Sequence, residues 1–182
     1  QPVFSQTGQE LVFKNSYLLS GTAGQDGAKY VFPNVKAGID AVLTIGGRSD
    51  AAVTLDILDE TGTGYDNAFQ PRIGKSENVP ANSNWWMEFD ITFFQAGYTT
   101  PPYKVQIDNF KTTGLDIDGN NSGLREYVQM NEITSFATSG STLLQSTLIA
   151  TLPVNAYSNL PEYTYNFLGP TTGFPGIDTT AV

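Results

Sequence analysis

The chain has 182 residues, of which 40% are hydrophobic, 12% aromatic and 15% charged, against about a quarter charged in an ordinary soluble domain. Nine basic residues face eighteen acidic ones, a net charge of −9, which argues against nucleic acid and anionic lipid as partners because both need clustered Lys and Arg. Histidine and cysteine are absent, which removes Ser-His-Asp triads, His-ligated zinc, thiol nucleophiles, iron–sulfur clusters and disulfides.

The length suits one domain that buries a core without metal or disulfide staples. No window reaches the roughly 20 apolar residues of a membrane span, so no membrane insertion is expected. The opening at Gln1, with no signal peptide in view, reads as a mature N-terminus after signal removal or as an artificial boundary.

Apolar residues alternate with polar ones along most of the chain. Ile39, Ala41, Leu43 and Ile45 alternate with Asp40 and Thr44 before Gly46 and Gly47. Val53, Leu55 and Ile57 follow the same rule around Thr54 and Asp56. The clearest run puts Trp85, Met87, Phe89, Ile91 and Phe93 on one side, with Trp86, Glu88, Asp90 and Thr92 on the other. Val105 and Ile107 come next, then Leu124 to Met130, then 144–151 and 163–167. Period two is the signature of a half-buried strand. Turn signals separate the runs at 24–27, 61–64, 101–102, 118–121 and 139–140. Residues 5–12 and 134–137 are the places left for a short helical turn.

Many strands with one apolar face need a second sheet to cover them, so the expected fold is all-β: an antiparallel β-sandwich, jelly-roll-like, over 1–168. The predicted core holds Leu43, Ile45, Leu55, Ile57, Met87, Phe89, Ile91, Phe93, Ile107 and Val128. Residues 169–182, rich in Pro, Gly and Thr, read as a linker to a following module.

Three places carry polar side chains dense enough for a site. In the stretch 56–67, Asp59 and Asp66 are oxygen donors, although a solvated loop after a strand accounts for them more simply. In the run 85–94, Trp86 points outward beside Glu88 and Asp90 if Trp85 joins the core. An exposed Trp with neighbouring acids is a sugar-binding arrangement, and Tyr98, Tyr103, Tyr157, Tyr163 and Tyr165 can extend it. The third place is 115–126. Asp116, Asp118 and Asn120 at every second position put oxygens on one side of a tight loop, and Glu126 can return to close it. Such hard oxygen ligands suit calcium, but the glycine and the closing Glu miss the EF-hand positions. A hydrogen-bonded Asx turn, with Arg125 neutralising Asp116 or Asp118, is the competing account. Paired carboxylates such as Glu88 with Asp90 offer the residue types for glycoside hydrolysis, without a spacing that favours one pair.

Taken together, 9–13, 18–27, 38–41, 68–71 and the string Leu115-Asp116-Ile117-Asp118-Gly119 with Leu124-Arg125-Glu126 resemble β-sandwich modules of large secreted surface proteins of Bacteroidota, the gliding-type and filamentous adhesins. The resemblance implies export to the cell surface through type IX secretion, neighbouring modules or secretion machinery as partners, and a role in attachment or filament structure. It carries no catalytic residues across. The expected function is a non-catalytic extracellular module stiffened by calcium; the alternative is a carbohydrate-binding module of a secreted polysaccharide-degrading enzyme.

Overall fold

The computed structural model describes residues 3–4, 10–62, 64–76, 82–107, 110–112, 114, 117–138, 142–154 and 160–173. None of these is helical, so residues 134–137 form no helical turn, while 5–9 lie outside the described residues. The expected all-β architecture of antiparallel sheets is the one observed. Contacts divide the chain into two compact units, Gln1–Phe110 and Lys111–Val182.

The first unit is built on a four-stranded antiparallel sheet, β2 (Tyr17–Ser20), β3 (Lys29–Lys36), β4 (Ile39–Arg48) and β7 (Met87–Gln95), in that spatial order. A hairpin of β5 (Val53–Ile57) and β6 (Arg72–Lys75) stands beside it, and β1 (Val3–Phe4) pairs in parallel with β8 (Gln106–Ile107). One face of the four-stranded sheet presents Tyr30, Phe32, Ile39, Ala41, Leu43 and Ile45, all buried. Leu55, Leu58, Phe69, Val105 and Ile107 from the other segments close over it. Phe69 sits among Phe13, Phe32 and Phe89 at centroid distances of 5.3–6.1 Å. Burying each such side chain is worth about 1.5–3 kcal/mol, and edge-to-face ring pairs add to that.

Of the expected core, Leu43 and Ile45 are fully buried, and Leu55, Met87, Phe89, Phe93 and Ile107 pack against the same cluster. Ile57 and Val128 are half-buried. Ile91 is a correction: its register opposite Leu43 puts it on the core side, yet it remains 36% exposed. Its strand closes one side of the sheet, so half of its lateral cover is missing.

The period-two reading misses the short strands β1, β2 and β6 and one long strand, β3. Tyr30 and Phe32 enter one cluster while Val31 packs with Val42, Phe94 and Tyr103 on the opposite face. A central strand buried on both sides shows no alternation, and Pro33 and Asn34 further disguise it. Both lie where the β3–β4 register shifts, between Phe32 and Lys36, and Asn34 has φ 51°.

The second unit holds a three-stranded antiparallel sheet in the order β10 (Gln145–Leu152), β11 (Glu162–Leu168), β9 (Tyr127–Ile133). Phe167 lies opposite Val128 and Ser146, and Tyr165 opposite Met130 and Leu148, so these six share a face. Phe136 lies against that face, with ring centroids 4.7 Å from Tyr165 and 5.1 Å from Phe167. Residues 169–173, expected to begin a linker, run alongside the hairpin that precedes β9: Gly119 N–H donates to Thr172 O and Asn121 N–H to Thr171 O.

Candidate functional site

On the four-stranded sheet, the face away from the core carries the first candidate. Lys29 pairs with Thr44, which pairs with Asp90, so the three stand in a row across β3, β4 and β7. Glu88 and Trp86 follow on the same side by alternation. The Trp86 indole is 40% exposed, and Glu88 and Asp90 are exposed as well. Two hydrogen bonds fix the Trp86 backbone: its N–H donates to Ser49 Oγ at 3.0 Å, and its carbonyl accepts the Ser49 N–H at 3.0 Å. Beneath the two carboxylates lies Gly46. A methyl group there would meet Asp90 Oδ2 at 2.8 Å and Glu88 Cγ at 3.1 Å, so glycine is what lets both acids fold over the strand. The sequence-based expectation named Trp86, Glu88 and Asp90: Glu88 and Asp90 stand over Gly46, and Trp86 immediately precedes β7 with its side chain exposed. Lys29, Thr44 and Gly46 escaped it, because only the pairing of β3, β4 and β7 sets them in line with Asp90 and Glu88. Chemically, the face offers a stacking ring, acceptors in two carboxylates, a hydroxyl and an ammonium donor.

The hairpin at 117–126 is the second candidate. Gly119 pairs with Arg125, and the Glu126 N–H donates to Asp118 O at 2.8 Å, so Glu126 stands opposite Asp118 as the loop reading expects. Asp118 is 8% exposed, whereas Glu126 and Asn120 are exposed. Asn120 Oδ1 accepts the Ser122 N–H at 2.9 Å and the Leu124 N–H at 3.0 Å, which occupies both of its lone pairs in an Asx turn. Arg125 Nε donates to Gly169 O at 2.7 Å, and its Nη2 to Gln145 Oε1 at 3.4 Å. Asp116 lies outside the described residues. Among the described residues, no group of three His, Cys, Asp or Glu side chains is placed to hold a metal ion.

The third stretch is a closed loop. Glu60 N–H donates to Gln70 O at 2.8 Å, and the Gln70 side-chain amide returns to Glu60 O and Tyr65 O. Asp59 accepts the Gln70 N–H at 3.0 Å, Asp66 the Gly62 N–H at 2.7 Å, and Glu60 pairs with Arg72 at 2.9 Å. Burial pushes the Asp59 carboxyl above its ordinary 3.8, the nearby Asp66 charge adds to the rise, and the Gln70 amide opposes it. Glu10, 57 positions before Asn67, accepts from that residue's side-chain amide and lines a shallow open cleft with Gly64, Tyr65 and Asp66. Sequence spacing gives no sign of Glu10. These acids brace a loop, and the group whose titration burial perturbs is already engaged by a backbone amide.

Comparison with known proteins returns no matching family model, no matching curated protein and no matching solved structure.

Proposed function

We propose that this chain is a non-catalytic module of a secreted surface protein, an adhesin or filament component, that works by surface contact in attachment or assembly. One observation carries the reading: β10 closes one side of the second sheet with its first five residues exposed, Leu148 at 49% and Ile149 at 54%. Apolar side chains held out on an edge strand are a contact surface. General acid–base chemistry would need a carboxyl raised by burial and free to reach a substrate, and among the described residues Asp59, a carboxyl that burial raises, accepts the Gln70 amide. Type IX export to the cell surface and membership of a Bacteroidota-type adhesin belong to the same proposal and rest on the sequence resemblance. Deleting the coding region in the producing cell tests it: attachment to surfaces is lost while growth on polysaccharides is unchanged. Polysaccharide hydrolysis by the purified chain, abolished in Glu88→Gln with the fold intact, overturns it.

Carbohydrate binding is the second reading, favoured by the exposed Trp86 next to exposed Glu88 and Asp90 at the start of β7. A glycan that binds there quenches or shifts Trp86 fluorescence, and Trp86→Ala abolishes the response without changing the melting temperature.

A further inference from the structure

The assembly reading leaves the partner of β10 unnamed, and the chain's charge distribution narrows the choice. No charged residue occurs from Ile133 to Leu160 or at Pro161, although the chain carries 27 charged side chains in 182 residues. β10 lies inside that neutral stretch. Proteins ordinarily guard an exposed edge strand with Lys, an inward charge, Pro or a bulge; the eight residues of β10 contain no charge and no Pro, and a single bulge at Ile149. Among the described residues its strand partner is β11 alone. The register to β11 slips between Leu148 and Ala150, which leaves Ile149 outside the ladder. A bulge residue of this kind is unpaired on its own sheet.

We propose that β10 is the docking edge for a second copy of this chain, paired antiparallel about a two-fold axis near Leu148 and Ile149. This inference rests on the proposed assembly role. Two copies of a chain at −9 repel each other, so the contact that costs least is the one where neither copy brings a charge. Antiparallel pairing centred on the strand sets Leu148 of one copy against Ile149 of the other and Thr147 against Ala150, apolar or neutral at each step. The two three-stranded sheets become one continuous six-stranded sheet through a self-complementary, isologous contact.

Sedimentation equilibrium of the full chain at several concentrations tests the proposal. The wild type is expected as a concentration-dependent dimer. Ile149→Lys and Ile149→Glu each set like charges across the two-fold and weaken association by about tenfold or more, while an equimolar mixture of the two restores a dimer of one Lys and one Glu chain. Thr147→Lys serves in the same way if a substitution at 149 disturbs folding, judged by circular dichroism. A wild type that stays monomeric to about 1 mM, or variants that dimerise as well as it does, overturns the proposal. A monomeric chain whose deletion still abolishes attachment ends this inference and leaves the attachment role standing.

Discussion

Asp40, 6% exposed on β4, accepts the Asn34 N–H at 2.7 Å through one carboxylate oxygen. Its other oxygen accepts the Gly97 N–H at 2.8 Å. Both donors sit in left-handed backbone, with φ 51° at Asn34 and 83° at Gly97. One buried side chain thus ties the bulge at the end of β3 to the turn after β7, across the sheet that carries the Trp86 face.

Replacing Asp40 by Ala strips two amides of a charged acceptor, and the cost is about 2–4 kcal/mol from hydrogen bonds of that type. Asp40→Asn keeps one acceptor oxygen and turns an amide donor toward the other N–H, for a smaller loss of about 1–2 kcal/mol. Denaturant unfolding of the two variants, with hydrogen exchange at Asn34 and Gly97, checks the order. Equal stability of Asp40→Ala and wild type would falsify the account.

How much of this was legible in the sequence depends on which side of a strand does the work. Strands β4, β5, β7, β9, β10 and β11 alternate apolar and polar residues, which reveals them in the sequence even where the strand is buried on both sides, as β4 is, or mostly exposed, as β10 is. The central strand β3 buries Tyr30 and Phe32 one way and Val31 the other, so the pattern vanishes where the core is deepest. Trp86 could be placed outside because its neighbours Met87 and Phe89 point inward. The calcium reading at 115–126 rested on Asn120 as a ligand, and an Asx side chain can spend its oxygen on its own turn with the same spacing. Residue order does not distinguish those two uses; in the structure the Asn120 oxygen accepts the Ser122 and Leu124 amides.

Gly169 and Gly119 mark a close approach of two backbones in the second unit. A methyl group on Gly169 would meet Ile117 O and, at 2.8 Å, Asp118 O, and one on Gly119 would meet Thr171 O at 2.6 Å. Backbone atoms cannot swing aside as a long side chain can. Gly169→Ala is expected to peel 169–173 from the hairpin and cost about 2–3 kcal/mol or more, in the range of overpacked sites. Faster amide exchange at Gly119 and Asn121 reports the detachment. Gly47→Ala, which meets nothing within 4 Å, is the control and stays within about 0.5 kcal/mol.

Asp59 has a folded-state carboxyl raised above its unfolded value, chiefly by burial. A raised acid penalises the folded state at pH values above the folded pKa, where it is ionised in both states. The penalty shrinks as pH falls through that pKa toward 3.8. Asp59→Asn keeps the acceptor for the Gln70 amide and removes the charge facing Asp66. At pH 7 it should therefore melt about 1–2 °C higher than wild type, a modest figure because the site is only half-buried and solvent screens the charge. Near pH 3.5 the gain should disappear. A variant that melts lower than wild type at pH 7 rules out burial of charge as the controlling effect.

Calcium at the second hairpin is the last expectation to reach an experiment. The proposed ligands are Asp116, Asp118, Asn120 and Glu126, and Asn120 gives up the Ser122 and Leu124 amides when it binds. A ligand that binds the native state alone stabilises it by mass action, by about 1.4 kcal/mol when calcium stands at ten times its dissociation constant. Weak extracellular sites lie near 10⁻⁴–10⁻³ M, so roughly 5 mM calcium should raise the melting temperature by a few degrees and a chelator should reverse the shift. Asp118→Asn should then abolish the calcium response. Asn120→Ala separates the two accounts of the turn. Where the Asx turn alone holds the hairpin, it costs about 1–2 kcal/mol with or without calcium. Where Asn120 is a ligand, most of that cost appears only in the presence of calcium. A melting temperature indifferent to calcium and chelator, with a constant Asn120→Ala penalty, leaves the hairpin as a hydrogen-bonded turn anchored by Arg125 on Gly169 O.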